Sequence, residues 1–282
     1  MRPRTKKLEV LGGDQRQKWL ALALMDEGIL VQTHLVPDCS DTPLARALTE
    51  VDGVVLPVPA FSPEGLLTVQ RGGPVTMEEI LAVLRPGTRI FGGRLHDTAG
   101  KMRQAGLEPI DYMTLEPVAV ANAVPTAEGA IQIAMEQMPS TLQNSQCLVI
   151  GWGRIGKLLA GKLKALGAKV TVSVRRAEDA AMVQALGMQS DLTGVYANGL
   201  PYALIVNTVP AMVLGQKALE RTVPDVCIID LASAPGGVDR TAAAELGLRV
   251  LSAPGLPGRT APVTAAAAIR DAVYHILWEL EA

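Results

Sequence analysis

The chain has 282 residues, room for two domains of ordinary size with a core each. Apolar residues make up 49% and charged ones 19%, which excludes a disordered chain, and with aromatics at only 3% the cores must be built from Ala, Val, Leu and Ile. With 26 basic against 28 acidic residues, a net charge of -2, the composition argues against a nucleic-acid binder or a protein held on anionic membrane.

The basic start MRPRTKK could open a signal peptide, but Asp14, Arg16 and Lys18 interrupt the segment behind it. No apolar run approaches the ~20 residues that span a bilayer. The chain therefore reads as cytoplasmic. From Leu8, LEVLGGDQRQKWLALALMDEG reads as a short strand, a glycine turn and a helix. Strands are expected at ILVQTHLV, GVVLPVP and RIFGG, helices at TMEEILAVL and DTAGKMRQAG, and a further extended piece at EPVAVANAV, ending at Pro125. This alternation predicts a first α/β domain with a doubly wound parallel sheet, flavodoxin-like in style, over residues 1–140. Thr126 is expected to cap a helix reaching about Pro139, and the polar STLQNSQ segment to mark the boundary. A second doubly wound domain, of the Rossmann type, is expected over 141–263, with a cleft between the two. The terminal helix 264–282 is expected to return and complete the first domain. Cys147 and Cys227 open apolar strand-like runs, and with Cys39 they form no CxxC pair, so buried free thiols are expected, not a redox pair or metal site.

Gly151, Gly153 and Gly156 form GxGxxG between an apolar strand and a helix, the context that turns a weak motif into a dinucleotide-binding one. Gly151 permits the tight turn, Gly153 lets a pyrophosphate approach, and Gly156 lets helix and strand pack closely. Trp152, Arg154 and Ile155 complete the loop and the helix N-terminus, whose unpaired N–H groups favour phosphate. An acid about 20 residues on would bind the ribose of NAD. Arg175 and Arg176 stand there instead, beside the small Ser173, and predict NADP, since a guanidinium can hold a 2′-phosphate by two bonds. Three later loops at strand ends are expected to line the rest of the cofactor: Asn207, Thr208, Val209 and Pro210; Leu231, Ala232 and Ser233; Pro254 and Gly255.

The blocks GWGRIGKLLAGKLKALGAKVTVSVRR, NTVPAMVL, IIDLASAPGG and LSAPGLPGRTAPVTAA resemble the A subunit of bacterial dipicolinate synthase, as do LGGDQRQ, VVLPVPAFSPEG and NAVPTAEGAI. The resemblance covers nearly the whole chain. It implies an NADP-dependent oxidation of dihydrodipicolinate, or its hydroxy-tetrahydro precursor, to dipicolinic acid. That step branches from the lysine pathway in the mother cell of sporulating bacteria. It also implies a partner, the flavoprotein-like B subunit of dipicolinate synthase, and hinges at NAVPTAEG and PGLPGRTAPVT.

Such a substrate, a pyridine dicarboxylate precursor, calls for cationic anchors, and Arg16 and Arg259 are the candidates. Asp14 and Glu128 are candidate acids or bases, or orienters of those arginines, with capping or ion pairing weighing at least as much. Asp230 could serve only to bond a loop backbone. His34, His96 and His275 have no spacing that suggests a shared metal. Two other readings compete: a 2-hydroxyacid-dehydrogenase-like enzyme, disfavoured because the only histidine after Gly156 is His275, and a nucleotide-binding regulatory subunit. A homo-oligomer is left open.

Overall fold

The structure is a computed structural model and describes residues 6–48, 51–96, 98–196, 199–233 and 235–279. In chain order it runs β1 (Lys7–Leu11), α1 (Gln15–Asp26), β2 (Leu30–His34), α2 (Leu44–Ala47), β3 (Gly53–Val55), α3 (Met77–Val83), β4 (Arg89–Gly92), α4 (Ala99–Gln104) and β5 (Glu108–Asp111). A 3-10 turn at Tyr112–Thr114 leads to α5 (Glu116–Gln137), then β6 (Gln146–Ile150), α6 (Arg154–Ala165), β7 (Lys169–Val174), α7 (Ala177–Ala185) and β8 (Gln189–Leu192). The rest is β9 (Leu204–Asn207), α8 (Gln216–Leu219), β10 (Cys227–Asp230), α9 (Arg240–Glu245), β11 (Val250–Ser252), α10 (Leu256–Thr260) and α11 (Pro262–Glu279). Two compact units result: Met1–Asn122 with Ala261–Ala282, and Ala123–Thr260.

In the first unit five parallel strands lie in the order β2-β1-β3-β4-β5, the flavodoxin-like winding. Strand alternation sends Leu8 and Val10 to one face, where Leu20 and Leu24 of α1 and Ile269 and Val273 of α11 cover them. Leu11 and Val54 face the other way, against Met77, Ile80 and Met102. In the second unit six parallel strands lie in the order β11-β10-β9-β6-β7-β8, the doubly wound order of dinucleotide-binding sheets. Both faces are buried, by α5, α6 and α7 on one side and by α8 and α9 on the other.

Four local expectations are corrected. EPVAVANAV is helix and not an extended piece: Val118, Ala123, Ala127, Ala130 and Ala134 are all buried at helical spacing. Thr126 therefore lies inside α5 and is not its N-cap, and Pro125 is carried in the helix interior, where it removes one backbone donor. The division between units falls at Asn122, within a turn of that proline, and the STLQNSQ segment lies inside the second unit. PGLPGRTAP is not an open loop, because Leu256–Thr260 is helical with Leu256, Pro257 and Gly258 buried. The edge strands β5 and β8 leave no signal in the sequence, because EPID and QSDL, half-buried at most, carry no apolar run.

One core residue is out of character. Glu9, in register between Gln32 and Val54, is wholly buried, and neither carboxylate oxygen has a hydrogen-bond partner. Burial pushes its pKa up from 4.5 to about 8, with Lys7 acting weakly the other way. The folded state therefore keeps a proton that the unfolded chain has released, so stability is lost as pH rises from about 4.5 to about 8. The steepest slope is ~1.4 kcal/mol per pH unit from this one group. Urea unfolding at several pH values should show this decline in the native chain and a flatter profile in Glu9→Gln. The same slope in both would mean that Glu9 is already ionised in the fold.

Candidate functional site

In the second unit the chain begins at the centre of the sheet, winds out through β7 and β8, then returns to β9 on the other side of β6. The strand order reverses between β6 and β9, and ligands of such sheets bind at the carboxyl ends of the strands there. Gly151 leaves β6 at φ +104, and its N–H donates to the Ser173 carbonyl (2.9 Å). A Cβ on Gly151 would lie 2.5 Å from Thr208 Oγ1, and one on Gly156 only 2.1 Å from the Gly151 carbonyl oxygen. A Cβ on Gly153 would meet nothing within 4 Å. Two of the three glycines are thus demanded by packing, and the third borders open space. That space lies at the N-terminus of α6, whose cap is Gly153 with no side-chain bond to the first-turn N–H groups.

Thr208 fixes the neighbouring loop, donating through both its N–H (3.0 Å) and Oγ1 (2.8 Å) to the Ile150 carbonyl. Asn207 and Asp230 form a buried clamp. Asn207 Nδ2 donates to Asp230 Oδ1 (2.9 Å) and to the Val209 carbonyl (3.0 Å), and Asn207 Oδ1 accepts from the Val209 N–H (3.0 Å). Asp230 also accepts from the N–H groups of Ala232 (3.2 Å) and Gly237 (3.1 Å). Gly236 and Gly237 are required there, because a Cβ on either would fall within 3 Å of Asp230 Oδ2 or of Asn207 Nδ2. The loops after β9 and β10 are therefore bound into one piece.

The remaining cofactor candidates divide by exposure. Arg154, Arg175, Arg176, Pro210, Pro254 and Gly255 are exposed, and Trp152, Ile155, Val209, Ala232 and Ser233 are half-buried. Trp152 carries the Lys157 ammonium 5.8 Å from its ring. Three of the candidates turn their side chains inward. Ser173 is fully buried, its hydroxyl paired with Thr193 Oγ1 (2.7 Å). Asn207 is fully buried in the clamp and presents no side chain outward. Leu231 is buried in the core, so that only backbone is left to it as a ligand contact. Arg175 forms no ion pair among the described residues. Arg176 is already engaged, giving Nε and Nη2 to the two carboxylate oxygens of Asp179 (2.8 and 3.0 Å). Sequence reasoning misses Asp179, although it stands three residues on from Arg176, at the helical spacing that brings two side chains together.

Of the four catalytic candidates, Asp14 and Arg16 form a single assembly in the first unit. Asp14 caps α1 by accepting from the Arg16 N–H (2.9 Å) and binds the Arg16 guanidinium through both oxygens (2.7–3.1 Å). Arg16 Nη2 also donates to the Val58 carbonyl (2.9 Å), tying α1 to the exit of β3. Asp14 is thus an orienter of Arg16, and Arg16 is largely committed to structure. Glu128 lies exposed on α5 in an ion pair with Lys162 (2.8 Å). Arg259, in the second unit, is exposed at the end of α10 with no ion pair among the described residues.

The close approach of Gly156 to Gly151 has a built-in control. Gly161, in the middle of the same helix, has open space where a Cβ would go. Gly156→Ala should destabilise the chain by about 1–3 kcal/mol, whereas Gly161→Ala should stabilise it by about 0.5–1 kcal/mol. Thermal unfolding of the two variants would decide, and a neutral Gly156→Ala would refute the close contact.

Comparison with known proteins points the same way as this geometry. The family model for the N-terminal domain of the dipicolinate synthase A subunit matches residues 7–113. The dipicolinate synthase A subunit of Bacillus subtilis (strain 168) is 31% identical over 295 residues, covering 98% of this chain and 97% of that protein. The crystal structure of the dipicolinate synthase A subunit from Bacillus halodurans superposes with a TM-score of 0.87 at 26% identity, over 97% of this chain and 98% of that one. The Bacillus subtilis A chain superposes with a TM-score of 0.85 at 28% identity, over 98% and 97% of the two chains. Matched over nearly its whole length in sequence and in fold, the chain belongs to the dipicolinate synthase A-subunit family.

Proposed function

We propose that this chain is the NADP-dependent dehydrogenase subunit of a dipicolinate synthase. Its reaction is the oxidation of dihydrodipicolinate, or its hydroxy-tetrahydro precursor, to dipicolinic acid during sporulation. The observation that carries the reading is the Gly151–Gly156 turn at the β6/β9 switch point, open at Gly153 and closed by packing at Gly151 and Gly156. This arrangement fits a dinucleotide, since a pyrophosphate needs space at Gly153 and N–H donors at the start of α6. Bound there, NADP would supply the hydride acceptor.

The protein's own residues then have few tasks. The first turn of α6 would hold the pyrophosphate, and Arg175 would bind the 2′-phosphate. The backbone of the loops at Thr208–Pro210, Leu231–Ser233 and Pro254–Gly255 shapes the remainder of the pocket, with the Asn207–Asp230 clamp keeping two of these loops in place. Arg259 is the exposed cation for a substrate carboxylate, whereas Arg16, its charge balanced by Asp14, holds α1 to the exit of β3. Dihydrodipicolinate gives up one hydride and one proton, and its hydroxy-tetrahydro precursor loses a water before that step. Aromatisation favours their loss, so the protein need only orient the ring carbon and keep a path for the proton to solvent. The partner is the flavoprotein-like B subunit, and the compartment is the mother-cell cytoplasm.

Purified chain, NADP and dihydrodipicolinate should yield the absorbance of dipicolinate with matching reduction of the nucleotide. Arg175→Ala should weaken NADP by roughly tenfold and leave NAD unchanged. Tighter binding of NAD than of NADP by the native chain would defeat the cofactor assignment. Turnover that occurs only once the partner subunit is present would make the active enzyme a composite of both chains.

A further inference from the structure

The group around the β7 exit has an unusual arrangement of charge. Arg176 stands at the N-cap of α7 in extended backbone conformation, and its Nε–Nη2 edge is filled by both oxygens of Asp179. The Glu178 carboxylate lies 3.8 Å from the same Nε. Asp179 is the more enclosed partner, its side chain 21% exposed against 65% for Arg176. Its carboxyl is held below the usual range first by the Arg176 hydrogen bond and also by the charges of Lys157 and Arg175. Arg176 thus closes on this carboxylate, and the charges of Lys157, from the first turn of α6, and of Arg175, from the β7–α7 turn, act on it too. This is how a phosphate site is commonly built, and here the chain's own anion fills it.

We infer that Asp179 is a specificity-determining residue that competes with the 2′-phosphate of NADP for the Arg176 fork and so limits the preference for NADP over NAD. The inference rests on the dinucleotide reading above. A 2′-phosphate needs the edge of a guanidinium for a two-bond contact, and Asp179 now holds that edge. The carboxylate also repels a phosphate of like charge, whereas the neutral 2′-hydroxyl of NAD is not repelled by it. Arg175, with no ion pair among the described residues, gives the first contact, and Arg176 joins only by leaving Asp179. Standing in the first turn of α7 on the arginine that would meet the 2′-phosphate, Asp179 acts on the choice of nucleotide and not on hydride transfer.

The test is to titrate the full chain and Asp179→Asn with NADP, NAD and 2′,5′-ADP, with Asp179→Ser as a second variant. The amide should tighten NADP and 2′,5′-ADP by about threefold to tenfold and leave NAD where it was. Adding Arg176→Ala to Asp179→Asn should abolish the gain. Weaker NADP binding in both Asp179 variants would overturn the inference, because Asp179 would then aim Arg176 at the phosphate. Equal shifts for NADP and NAD would overturn it too, leaving Asp179 as a support of α7 alone. Failure of the dinucleotide reading looks different: the native chain would bind neither nucleotide, and the inference would fall with it.

Discussion

The carbonyl of Ile150 is the fixed point of the second unit's ligand edge. It accepts twice from Thr208, and Thr208 in turn presses on the position where Gly151 would carry a side chain. Because Gly151 has none, β9 can sit against the β6 exit, and because Gly156 has none, α6 can begin directly on the Gly151 carbonyl. The start of α6, the turn before it and the loop after β9 are all located by these contacts. The Asn207–Asp230 clamp carries the same constraint one strand further, to the loop after β10. A ligand edge with so few adjustable parts meets its ligand largely preformed, with little ordering left to offset binding.

The glycine turn is legible because its requirements are local: three residues at fixed spacing between an apolar strand and a helix. The central strands are legible for a related reason, since buried parallel strands write continuous apolar runs. Side-chain direction is harder to read. In KVTVSV the valines Val170, Val172 and Val174 share one face and enter the core beneath α6 and α7, which sends Ser173 into the opposite interior. In LIVN the same alternation places Leu204 and Val206 on one face and Asn207 with Ile205 on the other. Position along the strand brings both polar residues to the ligand edge, but parity decides which way their side chains face.

Where the sequence misleads, a local preference is overridden by packing. The valines of EPVAVANAV favour a strand, yet the buried face from Val118 and Ala123 on to Ala134 makes the segment part of α5, and the proline that follows it is absorbed. The acids mislead in the other direction. Asp14, Glu128 and Asp230 all have ordinary partners in the fold: a helix cap with its arginine, a surface lysine, and two loop N–H groups with an amide. An acid near a ligand edge is as often part of the frame as part of the chemistry, and a contact three residues along a helix can outweigh either reading, as Arg176 and Asp179 show.

The first unit is discontinuous in sequence: α11 covers the same face of its sheet as α1, yet the whole of the second unit is encoded between β5 and α11. On a ribosome the residues up to Asn122 emerge first and must wait for about half the chain to follow before Ile269 and Val273 arrive to cover Leu8 and Val10. The second unit, contiguous from Ala123 to Thr260, has no such wait. The order of completion is thus the reverse of the order of synthesis, and a nascent chain completes the cover of one apolar face of its first sheet only at the end.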